Sequence, residues 1–465
     1  MTWSILQGDC RELLPALPAD HFHCCVTSPP YWGLRKYTDG DPKEIGGEST
    51  PGEHVAHIVE VFRGVRRVLR DDGLAWLNLG DSFASTGGAH GGRTDNQTGV
   101  GARAMHDAGG GDQNKRSPPS GLKAGDICGI PWLCAFALQA DGWYLRGEAI
   151  WSKTSPMPES VTGTRWEKHR TKQATRTKQA TRTKQATNQG AVDAGIAGGL
   201  EVAEWQDCPG CPKCAPNDGL VLRRGSWRPT RAHEYIFQLA KSPEYFADAQ
   251  AVAEPALCAD QVVALGERSF AKRQQDGAGI AASGNGSADT YTVGATRNPR
   301  SVWTIGPAPL RTDGLGVDVD HYAAYPPELP ERCIRASTSD RGCCGKCGAQ
   351  VARIVARDGE TSSERAARVG VNDRGKAVGQ ALNYEGGHTP TTTTTTTVGW
   401  RPTCTCAAPL TACRVIDPFS GAGTTGMVAL RLQRSFVGCE LNPAYVRLGQ
   451  ARVEEDMPLF NRGGR

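Results

Sequence analysis

Short apolar runs alternate with three-and-four hydrophobic spacing near both ends of this chain. Trp3 to Leu6 reads as a short apolar strand closing on Gly8-Asp9, and His23 to Val26 as a second, closing on Thr27-Ser28-Pro29-Pro30-Tyr31-Trp32. From residue 52 to 70, Val55, Ile58, Val59, Phe62, Val65 and Val68 recur at the spacing of one helical face. Gly73 is expected to stop that helix, and Leu74 to Leu79 reads as a buried strand ending in Gly80-Asp81-Ser82. An apolar helix is expected over Ile127 to Gln139, followed by strands over Trp143 to Trp151 and Glu234 to Leu239. The pattern resumes late in the chain: a strand over Cys413 to Ile416, a helix over Thr424 to Leu432, a strand over Phe436 to Cys439 and a helix over Pro443 to Val453. Strands and helices alternating in this way predict an α/β fold with a mixed, mainly parallel sheet.

Three stretches break the pattern. Residues 84–125 are rich in Gly, Asn, Ser and Asp; residues 160–225 carry a six-residue repeat, Thr-Lys-Gln-Ala-Thr-Arg, running from Thr171 to Thr187; residues 340–410 hold a cysteine cluster and a run of threonines, Thr391 to Thr397. A period of six fits neither helix nor strand, so the repeat reads as low complexity. Insertions of this length exceed ordinary connections. The 57 glycines and 29 prolines suit such loops. A net charge of +4 permits nucleic-acid binding without arguing for it, because the local field decides. Met1 to Asp9 has no basic-then-apolar leader, and no apolar run approaches the roughly 18 residues that span a membrane, so a soluble cytoplasmic protein is expected.

Seventeen cysteines without an export signal point to metal ligands rather than disulfides. Cys344-x-x-Cys347 and Cys404-x-Cys406 form two pairs suited to a tetrahedral structural zinc, with Cys343 a competing ligand. Cys208, Cys211 and Cys214 form a second cluster with three evident ligands, which either takes a fourth from elsewhere or is a Cys-rich loop. The basic repeat from Lys168 to Arg182 either follows phosphates or is a solvated loop, and Trp166, Trp205 and Trp227 around it serve packing or base contact.

Two motifs carry chemistry. Val415-Ile416-Asp417-Pro418-Phe419-Ser420-Gly421-Ala422-Gly423-Thr424-Thr425-Gly426 is a strand, a glycine turn and a helix start, where backbone passes close to a ligand and a helix amino end favours a carboxylate. The next strand ends in Glu440, the place where an acid binds ribose hydroxyls in doubly wound nucleotide sites; the wider three-glycine spacing of dinucleotide folds is absent. Thr27-Ser28-Pro29-Pro30-Tyr31 follows a strand. Its two prolines remove two N–H groups and leave carbonyls free, so Ser28 and the Pro29 carbonyl supply two acceptors for an amino group, and Tyr31 supplies a face for a base.

Ser-Pro-Pro-Tyr together with Asp-Pro-Phe-Ser-Gly-Ala-Gly-Thr-Thr resembles the amino-methylating DNA methyltransferases, which modify cytosine at N4 or adenine at N6. The catalytic motif precedes the cofactor motif, as in the β class, and the likeness, to enzymes of phage or prophage type, covers most of the chain. It implies a permuted Rossmann-like methyltransferase fold with Cys-rich insertions, a single domain over 1–465, a target-recognition insertion at 160–225 and a zinc ribbon at 340–410. It implies S-adenosylmethionine held by Asp417, Phe419, Gly421, Gly423 and Thr424, with Glu440 on its ribose, Asp9 near its adenine and His321 near its carboxylate. Ser28 and Pro29 would then grip the target amine of a base flipped out of double-stranded DNA, with Pro30 stiffening the turn and Tyr31 stacking on the base. Ser in the first motif position favours cytosine N4, with adenine N6 the alternative. An RNA or protein amino-methyltransferase, or a non-catalytic zinc-stabilised nucleic-acid-binding protein, are the remaining readings. A cognate restriction endonuclease is a partner the resemblance allows; the recognition sequence and oligomeric state are not legible.

Overall fold

Thr50 caps the first long helix with a reciprocal box: its side chain accepts from the Glu53 N–H while Glu53 reaches back to the cap, and Pro51 presets the first turn. The helix, α2 below, buries Ile58, Val59, Val61, Phe62, Val65 and Val68. In the computed structural model, residues 2–33, 41–84, 121–156, 162–175, 202–256, 262–264, 290–292, 296–308, 310, 324–358 and 394–456 are described. His321 and most of the 84–125 insertion lie outside the described residues.

Eight strands form the main sheet: β1 (Trp3–Gln7), β2 (Phe22–Thr27), β3 (Leu69–Leu79), β4 (Tyr144–Lys153), β5 (His233–Ala240), β6 (Val302–Ile305), β7 (Arg414–Asp417) and β8 (Ser435–Glu440). Their order is β1-β8-β7-β2-β3-β5-β4-β6. Every neighbouring pair is parallel except those made by β5, which runs antiparallel to both β3 and β4. The two C-terminal strands thus sit between β1 and β2, which is the permuted arrangement expected.

Helices cover both faces. Along β2, β3, β5 and β7, successive residues alternate between two cores, the period of a pleated strand. Cys25, Ala75, Leu77, Phe237 and Ile416 pack with α1 (Cys10–Ala16), α2 (Pro51–Val68) and α3 (Ile130–Ala140). Cys24, Val26, Trp76, Ile236 and Val415 pack with α4 (Glu328–Ser337), α5 (Thr424–Arg431) and α6 (Pro443–Asp456). Asp81 caps α3 from outside the helix, accepting from the N–H groups of Gly129 and Ile130 at 3.2 Å each.

Two local expectations change. Gly73 does not stop α2, which ends at Val68; β3 begins at Leu69, and Gly73 lies inside it. Leu69 pairs with Phe22 and Leu74 with Cys24, so residues 70–73 bulge out of the ladder. The threonine run is not all loop: Thr394–Thr397 belong to a strand, Thr394–Pro402, paired with Val351–Asp358, consistent with the preference of β-branched side chains for extended backbone. Among the described residues no helix is long and apolar enough to cross a membrane.

The chain divides into two compact units, residues 1–155 with 232–465, and residues 156–231. In the smaller one, Arg165–Lys168 pairs with Leu220–Arg223 and Arg170–Thr175 with Val202–Asp207, so part of the basic repeat is strand.

Candidate active site

Parallel strands present their carboxyl ends at one edge of the sheet, where open α/β folds place ligands. Asp417 ends β7, Glu440 ends β8 and Thr27 ends β2. Asp417 is buried, and burial pushes its carboxyl up despite four donors. Thr27 Oγ1 and Thr425 Oγ1 donate at 2.6 Å each, Phe419 N–H at 3.0 Å and the Tyr325 hydroxyl at 3.3 Å. The Thr27 bond spans 390 positions of sequence and ties the two motifs together.

The glycine turn leaves β7 through Gly421 and Gly423, at φ 49° and 74°. A side chain on Gly423 would also sit 2.9 Å from the Gly449 Cα of α6, so both conformation and contact exclude one. Arg452 of α6 donates to the Ala422 carbonyl and to Thr424 Oγ1, fixing the helix start. Glu440 accepts from Gly421 N–H and Asn442 N–H at 2.8 Å each. Burial raises its pKa to about 7 against those bonds. Asp9 follows β1, caps α1 and meets Arg11 at 2.7 Å; burial opposes its charge, but Arg11 holds its pKa below the ordinary range.

Ser420 Oγ, beside this turn, is buried without a partner among the described residues. Two Glu440 carboxylate oxygens, each with a lone pair to spare, a glycine turn opening a helix and the unpartnered Ser420 hydroxyl together match a ligand bearing a ribose diol and an amino-acid tail.

The second motif lies beside it. Ser28, Tyr31, Asn78 and Glu234 converge: Asn78 Nδ2 lies 3.2 Å from Ser28 Oγ, 3.0 Å from the Tyr31 oxygen and 2.8 Å from Glu234 Oε2. Ser28 Oγ donates to the Tyr31 oxygen at 3.4 Å, and the Tyr31 hydroxyl donates to Glu234 at 2.5 Å. Lys153 completes the group as an ion pair with Glu234. Pro29 is buried and Pro30 half-buried. The Tyr31 ring lies against Gly80, where a Cβ would approach Tyr31 Cε2 to 2.6 Å. Sequence reasoning assigned no role to Asn78, Lys153, Glu234, Tyr325 or Arg452, and read Thr27 only as the start of its motif. The signal for three of them was their place at strand ends: Asn78 in β3, Lys153 in β4, Glu234 in β5.

The cysteines also assemble. The ligand atoms of Cys344, Cys347, Cys404 and Cys406 lie within 4.8 Å of one another, although 56 residues separate Cys347 from Cys404. This ribbon rests on the strand starts: Arg70 donates to the Cys347 carbonyl and His23 to the Gly348 carbonyl, at 2.8 Å each. It therefore sits at the edge of the sheet opposite Ser28 and Asp417.

Because β7 and β2 are neighbours, the glycine turn and the Ser-Pro-Pro-Tyr turn lie side by side at one edge of the sheet. That adjacency, on a permuted Rossmann-like sheet, defines an S-adenosylmethionine-dependent amino-methyltransferase. Comparison with known proteins narrows the class: the chain belongs to the DNA methylase family N6_N4_Mtase, which matches residues 22–344 and 414–451. It is 28% identical over 450 residues to the Type II methyltransferase M.SmaI of Serratia marcescens, covering 97% of this chain and 90% of that protein. It is 29% identical over 451 residues to M.XycI of Xanthomonas campestris pv. cyanopsidis, covering 97% and 87%. Among solved structures, the PvuII DNA methyltransferase (cytosine-N4-specific) aligns at a TM-score of 0.44 and 14% identity, over 99% of this chain and 92% of that one.

Proposed function

We propose that this enzyme methylates the exocyclic N4 of cytosine in double-stranded DNA, at a base turned out of the helix. The observation that carries the reading is the Ser28-Tyr31-Asn78-Glu234 cluster joined to the cofactor turn through Thr27 and Asp417. A hydroxyl at position 28, in place of the carboxylate typical of adenine-directed relatives, favours cytosine.

S-adenosylmethionine supplies an electrophilic methyl group on a sulfonium. The chain's own residues prepare the amine. An aromatic amine delocalises its lone pair into the ring and is a poor nucleophile. Ser28 Oγ and the Pro29 carbonyl accept its two N–H bonds, which holds the nitrogen out of conjugation. Pro30 keeps that carbonyl rigid, and the Tyr31 ring stacks on the base, worth roughly 1–3 kcal/mol. The hydrogen-bonded line from Ser28 through Tyr31 to Glu234 carries away the proton that the amine loses. On the cofactor side, Glu440 would accept the ribose hydroxyls, Asp417, Phe419, Gly421, Gly423 and Thr424 would shape the methionine pocket, and Asp9 with Arg11 would border the adenine. The role of His321 at the cofactor carboxylate rests on the resemblance alone.

Residues 156–231 carry target recognition in this reading, supported by the exposed Trp166, Trp205 and Trp227. The Cys344 ribbon holds a structural zinc, because four thiols converge far from the reacting edge. The named relatives are Type II methyltransferases, which supports a role as the modification partner of a restriction endonuclease. The test is product analysis. Purified protein, unmodified DNA and labelled S-adenosylmethionine are incubated, and the digested nucleosides identified by mass beside Ser28→Ala. N4-methylcytosine, lost in the variant, is expected; N6-methyladenine overturns the base, and unlabelled DNA overturns the substrate.

A further inference from the structure

The smaller unit lacks what normally holds a domain of its size. Among its described residues Cys214 alone is buried; Trp166, Trp205 and Trp227 are 52%, 58% and 72% exposed. Small units without an apolar core need a covalent or metal staple.

Cys214 belongs to the cluster Cys208, Cys211 and Cys214, and the strands supply a fourth group to it. Antiparallel pairing sets Arg170 opposite Asp207 and Lys168 opposite Leu220. His169 falls between the two ladders, next to Cys208 on one side and Gly219 on the other. Its backbone is fastened to both: the Cys208 N–H donates to its carbonyl at 2.8 Å, and its own N–H donates to Gly219 O at 2.9 Å. The imidazole is thereby carried to the cysteines across a gap that no local spacing reveals. His169 Nδ1 lies 3.3 Å from Cys211 Sγ, and Cys211 Sγ 3.7 Å from Cys214 Sγ; all four ligand atoms lie within 4.8 Å of one another.

These separations are those of a coordination shell. With Zn–S about 2.3 Å and Zn–N about 2.1 Å, a tetrahedral ion sets sulfurs about 3.8 Å apart and sulfur about 3.6 Å from nitrogen. The Cys211 N–H also points at Cys214 Sγ, at 3.4 Å. Gly210 and Asp218, at φ 125° and 50°, turn the chain tightly around the sulfurs. A contrasting trio shows that proximity alone is not enough. His23, Cys343 and Cys413 also converge, but His23 Nδ1 accepts from Arg414 N–H at 3.0 Å and Nε2 donates to Gly348 O, so its imidazole has no lone pair left for a metal.

We propose that His169, Cys208, Cys211 and Cys214 bind a zinc ion that staples residues 156–231 into a folded unit. The full-length protein is assayed for zinc per chain by plasma mass spectrometry, as wild type, Cys211→Ser/Cys214→Ser and Cys344→Ser/Cys347→Ser. The first variant is expected to lose one equivalent relative to wild type, to become cleavable by protease within 156–231 and to keep its affinity for S-adenosylmethionine. Unchanged zinc in that variant overturns the proposal, as does a Cys211–Cys214 disulfide in the wild type. Cobalt replacement in the Cys344→Ser/Cys347→Ser variant, which removes the four-thiol site, isolates this one: a three-sulfur, one-nitrogen spectrum is expected, and the absence of that spectrum overturns the proposal. None of these readouts depends on which base is methylated.

Discussion

Replacing Gly80 with alanine tests whether the Tyr31 ring is placed for chemistry. Gly80 is buried near the end of β3, and its φ is not in the left-handed region, so alanine meets no backbone strain. The added methyl would stand 2.6 Å from Tyr31 Cε2, 3.0 Å from Cδ2 and 3.3 Å from Cζ. Carbon atoms rest about 3.5–4.0 Å apart, so the ring has to retreat by about 1 Å. That motion strains or breaks the 2.5 Å bond to Glu234 and the 3.0 Å bond from Asn78. A misplacement of about 1 Å costs about 100-fold in rate, or about 2.7 kcal/mol of barrier. The assay is single-turnover methylation at saturating S-adenosylmethionine, beside the cofactor Kd and the melting temperature. We expect the rate to fall by about two orders of magnitude while Kd stays within about two-fold, since Asp417 and Glu440 are untouched. Tyr31→Phe, which removes the hydroxyl and leaves the ring in place, should lose less. A wild-type rate in Gly80→Ala would refute the placement of the ring; an equal loss of cofactor affinity would refute the separation of the two pockets.

Thr27→Val keeps shape and removes the donor to buried Asp417; a loss of about 1.5–3 kcal/mol in denaturant unfolding is expected, and an unchanged midpoint would show that the link between the motifs carries no energy. Glu440 has a folded pKa of about 7 against an ordinary 4.5, so its contribution is fully present below about 4.5 and is lost as pH rises through about 7. Cofactor-free wild type should therefore lose stability across that window, and Glu440→Gln should flatten that part of the melting profile; equal slopes would count against the burial of the charge. Glu234→Gln retains an acceptor for Tyr31 but leaves Lys153 without its counter-charge, and a fall in kcat of about ten-fold or more with little change in cofactor Kd is expected from steady-state methylation.

Sequence alone determined what depends on short-range pattern. The α2 stripe, the glycine turn between β7 and α5, the acid at the end of β8 and the Ser-Pro-Pro-Tyr turn were all legible, because periodicity and turn chemistry act over a few residues. The Cys344, Cys347, Cys404 and Cys406 set was legible as two pairs, since each pair is local. Tertiary structure alone decided which distant residues meet. The insertion of β7 and β8 between β1 and β2 brings Thr27 to Asp417, and the reversed strand β5 delivers Glu234 to Tyr31. His169 reaches its cysteines through two ladders whose register is set by pairing, not by spacing. Gly73 was misread for the same reason: in isolation it resembles a helix stop, but hydrogen bonding to β2 draws Leu69 into the sheet before the glycine is reached. Partners separated by hundreds of residues leave no periodic trace in a single chain, because what joins them is the sheet.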